Sequence, residues 1–155
     1  MINLYNYRER RLTDIADVVR TTKGTVYPKG TIYIQVSACS KTADNPFKLL
    51  MESSELESKY AVVLPKVDVI PEYLLEVLGT AAPKWRHRYI GTNINISMDC
   101  FKFLIVTYHR ERETQQYVLD ALKPFENVIE QTKAEISATQ EFKQWSCDKM
   151  FCKTT

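Results

Sequence analysis

The stretch from Glu113 to Phe151 limits the possible folds more than any other part of this chain. Nearly all of it is helix-forming, with one proline (Pro124), no glycine, and apolar residues three or four apart. A helix that long has more stripe than a domain within 155 residues can cover. One end is expected to pack on its own domain and the other to find a partner. From Phe125, the positions Ile129, Thr132, Ile136 and Thr139 step 4-3-4-3, with Val128 and Phe142 beside the seam. Two threonines, and Lys143 at the next position, weaken this as an independent coiled coil. A second helix, from another copy or another protein, is therefore expected over Phe125, Ile129, Thr132, Ile136, Phe142, Trp145 and Met150. The competing reading puts Phe142, Trp145 and Phe151 in an intramolecular core. The sequence runs only four residues past Phe151, which favours the interface.

The rest reads as a compact head. Thr13 to Val19 predicts a short helix or a turn, with Thr13 as the cap and Lys23-Gly24 as the close. Tyr27-Pro28-Lys29-Gly30 is a turn, and Thr31 to Val36 is the best strand. Residues 39–47 predict a loop, and Tyr60 to Leu64 a second strand stopped by Pro65. Ile70 to Gly79 predicts a helix with Pro71 in its first turn and Gly79 as its stop. Residues 80–93 read as irregular and basic, and Phe101 to Val106 as a third strand. Glu113 to Leu122 then predicts a helix interrupted at Pro124, or followed by another that has Pro124 in its first turn. The expected class is α+β: a small mixed-sheet head over residues 1–110 and a helical dimerisation or docking arm over 111–155.

The net charge of +2 hides an asymmetry. Residues 1–110 carry 15 Lys and Arg against 11 Asp and Glu, or +4, while 111–155 carry 6 against 8, or −2. A mildly basic head permits a phosphate-bearing partner without demanding one. Lys84-Trp85-Arg86-His87-Arg88-Tyr89 is its most suggestive run, with basic or protonatable groups around two aromatics. Arginine pairs bidentately with guanine edges, and either cation neutralises phosphates. The alternative is a solvated loop with Trp85 tucked into the core. Arg8, Arg10 and Arg11 form a second cluster, and Lys23, Lys29 and Lys41 flank the first strand. All of these could equally be plain exposed charge.

Several chemistries are disfavoured. Cys39, Cys100, Cys147 and Cys152 form no C-x-x-C pair, and His87 and His109 stand at no ligand spacing from them, so no metal is expected. The cysteines read as idle thiols of a reducing, cytoplasmic compartment. Asp44-Asn45-Pro46-Phe47 lacks a proline of the base-holding loop of amino-methyltransferases and reads as a loop breaker. Four glycines, none arranged to cradle a cofactor, and no Ser/His/acid or Cys/His set argue against a small methyltransferase or nuclease. No secretory h-region or membrane-length apolar run is present.

In this order the residues resemble one half of the specificity subunit of type I restriction-modification enzymes. Tyr7-Arg8-Glu9-Arg10-Arg11-Leu12-Thr13-Asp14-Ile15 answers to an aromatic–basic–Leu–acid–apolar opening, and Gly30 to Ser37 to a G-x-I-x-x-I-x-x-S strand. Val62-Val63-Leu64 and Pro71-Glu72-Tyr73-Leu74 are similar to the strand and Pro-x-Tyr-Leu helix that follow. Gly91 to Asn95, Leu104-Ile105-Val106, the Glu113-Thr114-Gln115-Gln116 opening and the terminal Met150-Phe151 continue the likeness over nearly the whole chain. Thr107 to Arg112 departs from it, lacking the family's proline-rich linker and leaving the angle of the join open. The resemblance implies a non-catalytic, cofactor-free protein. Its head would read a DNA half-site through Lys84 to Tyr89, Arg8, Arg10, Arg11, Lys23 and Lys41. Its helices would pair with a second half, most simply an identical copy, and dock methyltransferase subunits. The alternative is a specificity paralogue that acts in assembly or regulation without binding DNA.

Overall fold

Strand β4 (Ile32–Gln35) shows the two-residue period of a sheet covered on both faces: Ile32 and Ile34 are fully buried, while Tyr33 and Gln35 are half-buried. The structure, a computed structural model, describes residues 4–39, 45–92 and 94–151, with residue 151 described by its backbone only. The chain begins with β1 (Tyr7–Arg11), a single helical turn α1 (Leu12–Ile15), β2 (Ala16–Arg20) and β3 (Val26–Tyr27). After β4 come β5 (Phe47–Leu49), β6 (Ser54–Glu55), β7 (Tyr60–Pro65) and α2 (Pro71–Tyr89). A 3-10 helix (Met98–Phe103), β8 (Ile105–His109) and α3 (Arg112–Phe151) complete it. The residues group into two compact units, 1–118 and 119–155, and the first two turns of α3 belong to the first.

The first unit is built on a four-stranded sheet in the order β2-β7-β4-β5, with β1 paired to β8 and β3 to β6. All described pairings are antiparallel. Tyr33 stands opposite Lys48 and Val62, so these share one face; Ile34 stands opposite Phe47 and Ala61 on the other. The Ile34 face packs on α2, where Trp85 lies between Phe47 and Phe101 at ring-centroid distances of 6.4 and 5.1 Å. The opposite face carries a smaller cluster of Leu50, Leu56 and Val62 under Tyr27, Tyr33 and Tyr60. This is the expected α+β head with a long C-terminal helix.

Local expectations fail at four places, each where tertiary packing outweighs a local signal. The helix or turn predicted over Thr13–Val19 is a single helical turn, α1, which ends at Ile15 and has no side-chain cap. Ala16–Arg20 extends instead, because the open edge of β7 offers it a full ladder. Gly79 does not stop α2, which runs on through Pro83 to Tyr89. A Cβ at Gly79 would lie 2.5 Å from Nδ2 of Asn45, so the glycine admits a loop against the helix. The stop is Gly91, in the left-handed region at φ 58°, whose N–H donates to the Arg86 carbonyl at 2.8 Å. Residues 80–89 are therefore helix, not irregular chain. The third strand also starts later than predicted, because residues 98–103 form the 3-10 helix.

Pro124 does not break α3, which is continuous over 40 residues. A proline in an exposed stretch removes one backbone hydrogen bond without disturbing any packing. Loop residues 40–44, which include the expected contact Lys41 and most of the Asp44-Asn45-Pro46 breaker's approach, lie outside the described residues, as does Cys152.

The first turns of α3 are fixed within the first unit by a buried polar clamp. Gln115 is fully buried; its Oε1 accepts from the Ile70 N–H at 2.8 Å and its Nε2 donates to the His109 carbonyl at 2.9 Å. His109 is held in turn. Its Nε2 lies 2.9 Å from the Leu4 carbonyl, which can only accept, so Nε2 carries the proton. Nδ1 then accepts from the Tyr73 hydroxyl at 2.7 Å, and that oxygen also accepts from the His109 N–H at 2.9 Å. Burial raises the Tyr73 phenol above its ordinary pKa, with the His109 backbone bond opposing.

Candidate nucleic-acid interface

Placing Lys84 to Tyr89 on a helix splits the run into three. Trp85 is buried, and its Nε1–H donates to the Cys100 carbonyl at 2.9 Å. A side chain with its ring covered and its donor used cannot meet a nucleic acid, so Trp85 leaves the expected contact set. Lys84, His87 and Arg88 are exposed together on the solvent face, three and four residues apart. Arg86 is half-buried and lies about 200° round the helix from Lys84, on the other flank. Tyr89 stacks on Phe103 with ring centroids 4.8 Å apart, and the Arg88 guanidinium sits 5.6 Å from the Tyr89 ring centre. Lys102 stands over Phe103 in the same way at 5.3 Å.

The other expected cations sit on separate elements. Arg8, Arg10 and Arg11 are exposed along β1, with Arg8 and Arg10 on one face of the strand and Arg11 on the other. Lys23 is exposed in the turn after β2, and Lys29 in the turn before β4. The three groups of cations thus belong to α2, β1 and turns, and are not one continuous run.

Sequence reading missed a cleft at the end of the four-stranded sheet, where β4 stops and β5 and β7 start. Tyr33, Gln35, Lys48, Tyr60 and Arg86 line it, and its open space is about 90 Å³. The pairings Tyr33–Lys48 and Gln35–Tyr60 put four of these side chains on one face. Tyr33 and Tyr60 meet edge to face at 5.3 Å. The Gln35 amide is oriented by two acceptors: its Nε2 donates to the carbonyls of Ser37 and Ala38 at 2.9 and 2.7 Å. Ala38 adopts the left-handed φ of 52° to present that carbonyl. Cys39 lines the cleft too, and burial raises its thiol pKa, with Arg86 pulling the other way. No acidic side chain is among the described lining. The signal that could have found this site is the alternation in β4, which turns Tyr33 and Gln35 away from Ile32 and Ile34.

In the second unit the expected interface residues are all exposed: Phe125, Ile129, Ile136, Phe142, Trp145 and Met150 expose between 52% and 74% of their surface. Phe125, Ile129, Thr132 and Ile136 share a stripe. Phe142 and Trp145 stack on each other at 5.9 Å, and Phe142 lies about 100° round from Phe125 in a straight helix. The seam threonines return their hydroxyls to their own helix: Thr132 to the Val128 carbonyl and Thr139 to that of Glu135, both at 2.8 Å.

The chain is thus an α+β head of small antiparallel sheets followed by one long helix. Among its described residues, no group of His, Cys, Asp and Glu could hold a metal, and no helix is long and apolar enough to cross a membrane. No family model matches the sequence, and no curated protein does. Solved structures do. The chain is similar to the type I restriction-modification S subunit from M. genitalium, with a TM-score of 0.64 and 15% identity over 98% of this chain and 48% of that one. A chain from a study of complex assembly and conformational transition in a type I R-M system matches 94% of this chain and 45% of its own, with a TM-score of 0.69 at 12% identity. The HsdS subunit from Thermoanaerobacter tengcongensis matches 86% and 40%, with a TM-score of 0.62 at 12% identity. The chain has the fold of one half of a type I specificity subunit, spanning under half the length of those proteins.

Proposed function

We propose that this protein is a DNA-specificity module of a type I restriction-modification system, non-catalytic and without a cofactor. One observation carries the reading: 86–98% of this chain matches 40–48% of the specificity-subunit chains in fold. The head recognises a half-site in double-stranded DNA. Lys84, His87 and Arg88 on α2, with Arg8, Arg10, Arg11 and Lys23, supply backbone and base contacts, and Arg86 adds a donor on the flank of α2. The seam of Phe125, Ile129, Thr132 and Ile136 pairs with the helix of a second half, an identical copy in the simplest case. The Phe142–Trp145 face, turned away from that seam, is free to dock a methyltransferase subunit.

The test is retention of randomised duplexes by the purified full chain at rising salt, with its mass measured in parallel. Affinity that falls steeply with salt, together with a concentration-dependent dimer, supports the reading. Splitting the basic hexapeptide over two flanks of α2 favours one alternative, an assembly or regulatory half without its own DNA binding. A dimer that retains no duplex at low salt would select that alternative.

A further inference from the structure

The cations of α2 and β1 sit on separate elements, but exposed apolar side chains join them. At the end of α2, Tyr89 stacks on Phe103 of the 3-10 helix with the two rings only 9° from parallel. Both stay open to solvent, Tyr89 by 38% and Phe103 by 43%. Arg88 stands over the first ring and Lys102 over the second, so the group runs cation, ring, ring, cation. Leu104 is fully buried, which turns its neighbours Phe103 and Ile105 outward. Ile105 stands opposite Arg11 across the β1–β8 pair and carries the patch to a third cation. Arg88 and Arg11 join no ion pair among the described residues. Lys102 lies 3.6 Å from Asp99, but both are exposed, and a surface pair of that kind holds its cation weakly.

Two features choose the occupant. With one face of each ring against the other ring and a cation over each, no face is left for a base to stack on. The patch offers ring edges and methyl groups between positive charges that the rings help to hold in place, which lowers the cost of ordering them on a partner. A DNA strand carries the complementary alternation, apolar deoxyribose between phosphates, and the larger share of protein hydrogen bonds to DNA fall on that backbone. Lys84 is exposed one turn back from Arg88, so the positive charge continues along α2 beyond the rings. A track of that length suits a strand better than a single acidic side chain. We infer that Tyr89, Phe103 and Ile105 seat the backbone of one DNA strand, with Arg88, Lys102 and Arg11 on its flanking phosphates. This rests on the DNA-reading function proposed above, and it gives Phe103, Lys102 and Ile105 a part in binding that is independent of sequence.

The experiment measures the affinity of the full chain for duplexes of several sequences across a salt series, with variants whose melting shows them folded. Lys102→Gln and Arg88→Gln should each weaken all duplexes alike and lower the salt slope by about one. Phe103→Ala should weaken them alike by about three- to tenfold with almost no change in slope, because it removes apolar contact and no charge. Phe103→Tyr, which keeps a ring to stack, should recover most of that loss. Should Phe103→Ala fail to fold, the two glutamine variants, made on exposed side chains, decide. Unchanged binding by folded Phe103→Ala, or by Lys102→Gln, overturns the backbone seat while leaving DNA reading intact. Losses confined to particular sequences would mean that the patch reads bases, which overturns it too. A wild-type chain that retains no duplex overturns both readings and leaves the patch to an acidic protein surface.

Discussion

Helices α2 and α3 read alike in sequence, each with an apolar stripe and an interior proline, yet they differ in what they bury. The first covers Tyr73, Leu74, Leu78, Ala82 and Trp85 within its unit; in the second, the large apolar side chains from Phe125 to Met150 stay exposed. Local pattern makes both helices. Only packing decides which stripe becomes core and which stays exposed. Proline is tolerated in both because it falls on an exposed face, Pro83 leaving the carbonyl of Gly79 without its helical donor.

Paired tryptophan substitutions give the largest expected contrast. Trp85→Ala should destabilise the head by roughly 3–5 kcal/mol in urea melts, as large core truncations do. Trp145→Ala should leave that melt within about 0.5 kcal/mol. Equal losses would mean that the two helices are not energetically distinct. Next comes Gln115→Ala, which strands the Ile70 N–H and the His109 carbonyl. It should cost roughly 1–3 kcal/mol for each group left unpaired, read in the same melts. Phe125→Ala should weaken self-association by about 1.5–3 kcal/mol per chain in sedimentation while sparing the head. An unchanged dimer would move the seam elsewhere.

Smaller effects sharpen the picture. The raised Tyr73 pKa makes burial of the neutral phenol a stabilising term that is fully present below the ordinary value near 10. It is lost as pH rises from there through the folded value, because the unfolded chain ionises first. Melts of Tyr73→Phe should lack that alkaline slope. Ala38→Gly should raise stability by at most about 1 kcal/mol, relieving a left-handed alanine against the entropy glycine adds.

The sequence revealed the elements that depend on neighbouring residues and concealed those set by distant ones. The Ile32–Gln35 alternation, Tyr60–Leu64 and the heptad steps of α3 were legible, and so was the likeness to a specificity half. The continuation of α2 was also written in the sequence, since Leu74, Leu78, Ala82 and Trp85 keep helical spacing past Gly79. Glycine was read as a stop because its reason for being there, Asn45, is a contact 34 residues away. The extension of Ala16–Arg20 depends on an edge of β7 that no local window contains. For the site, cation clusters were visible as composition, but Gln35, Lys48 and Tyr60 come from three strands and meet only through register.

The back-bonded threonines of α3 leave that stripe without an unmet polar demand. A helix paired along Phe125, Ile129, Thr132 and Ile136, as proposed, would meet methyl groups and rings, with no hydrogen-bond code to insist on one alignment over another shifted by seven residues. If the arm pairs as proposed, affinity in such a contact would follow shape and area, and fidelity of pairing would have to be enforced outside the stripe.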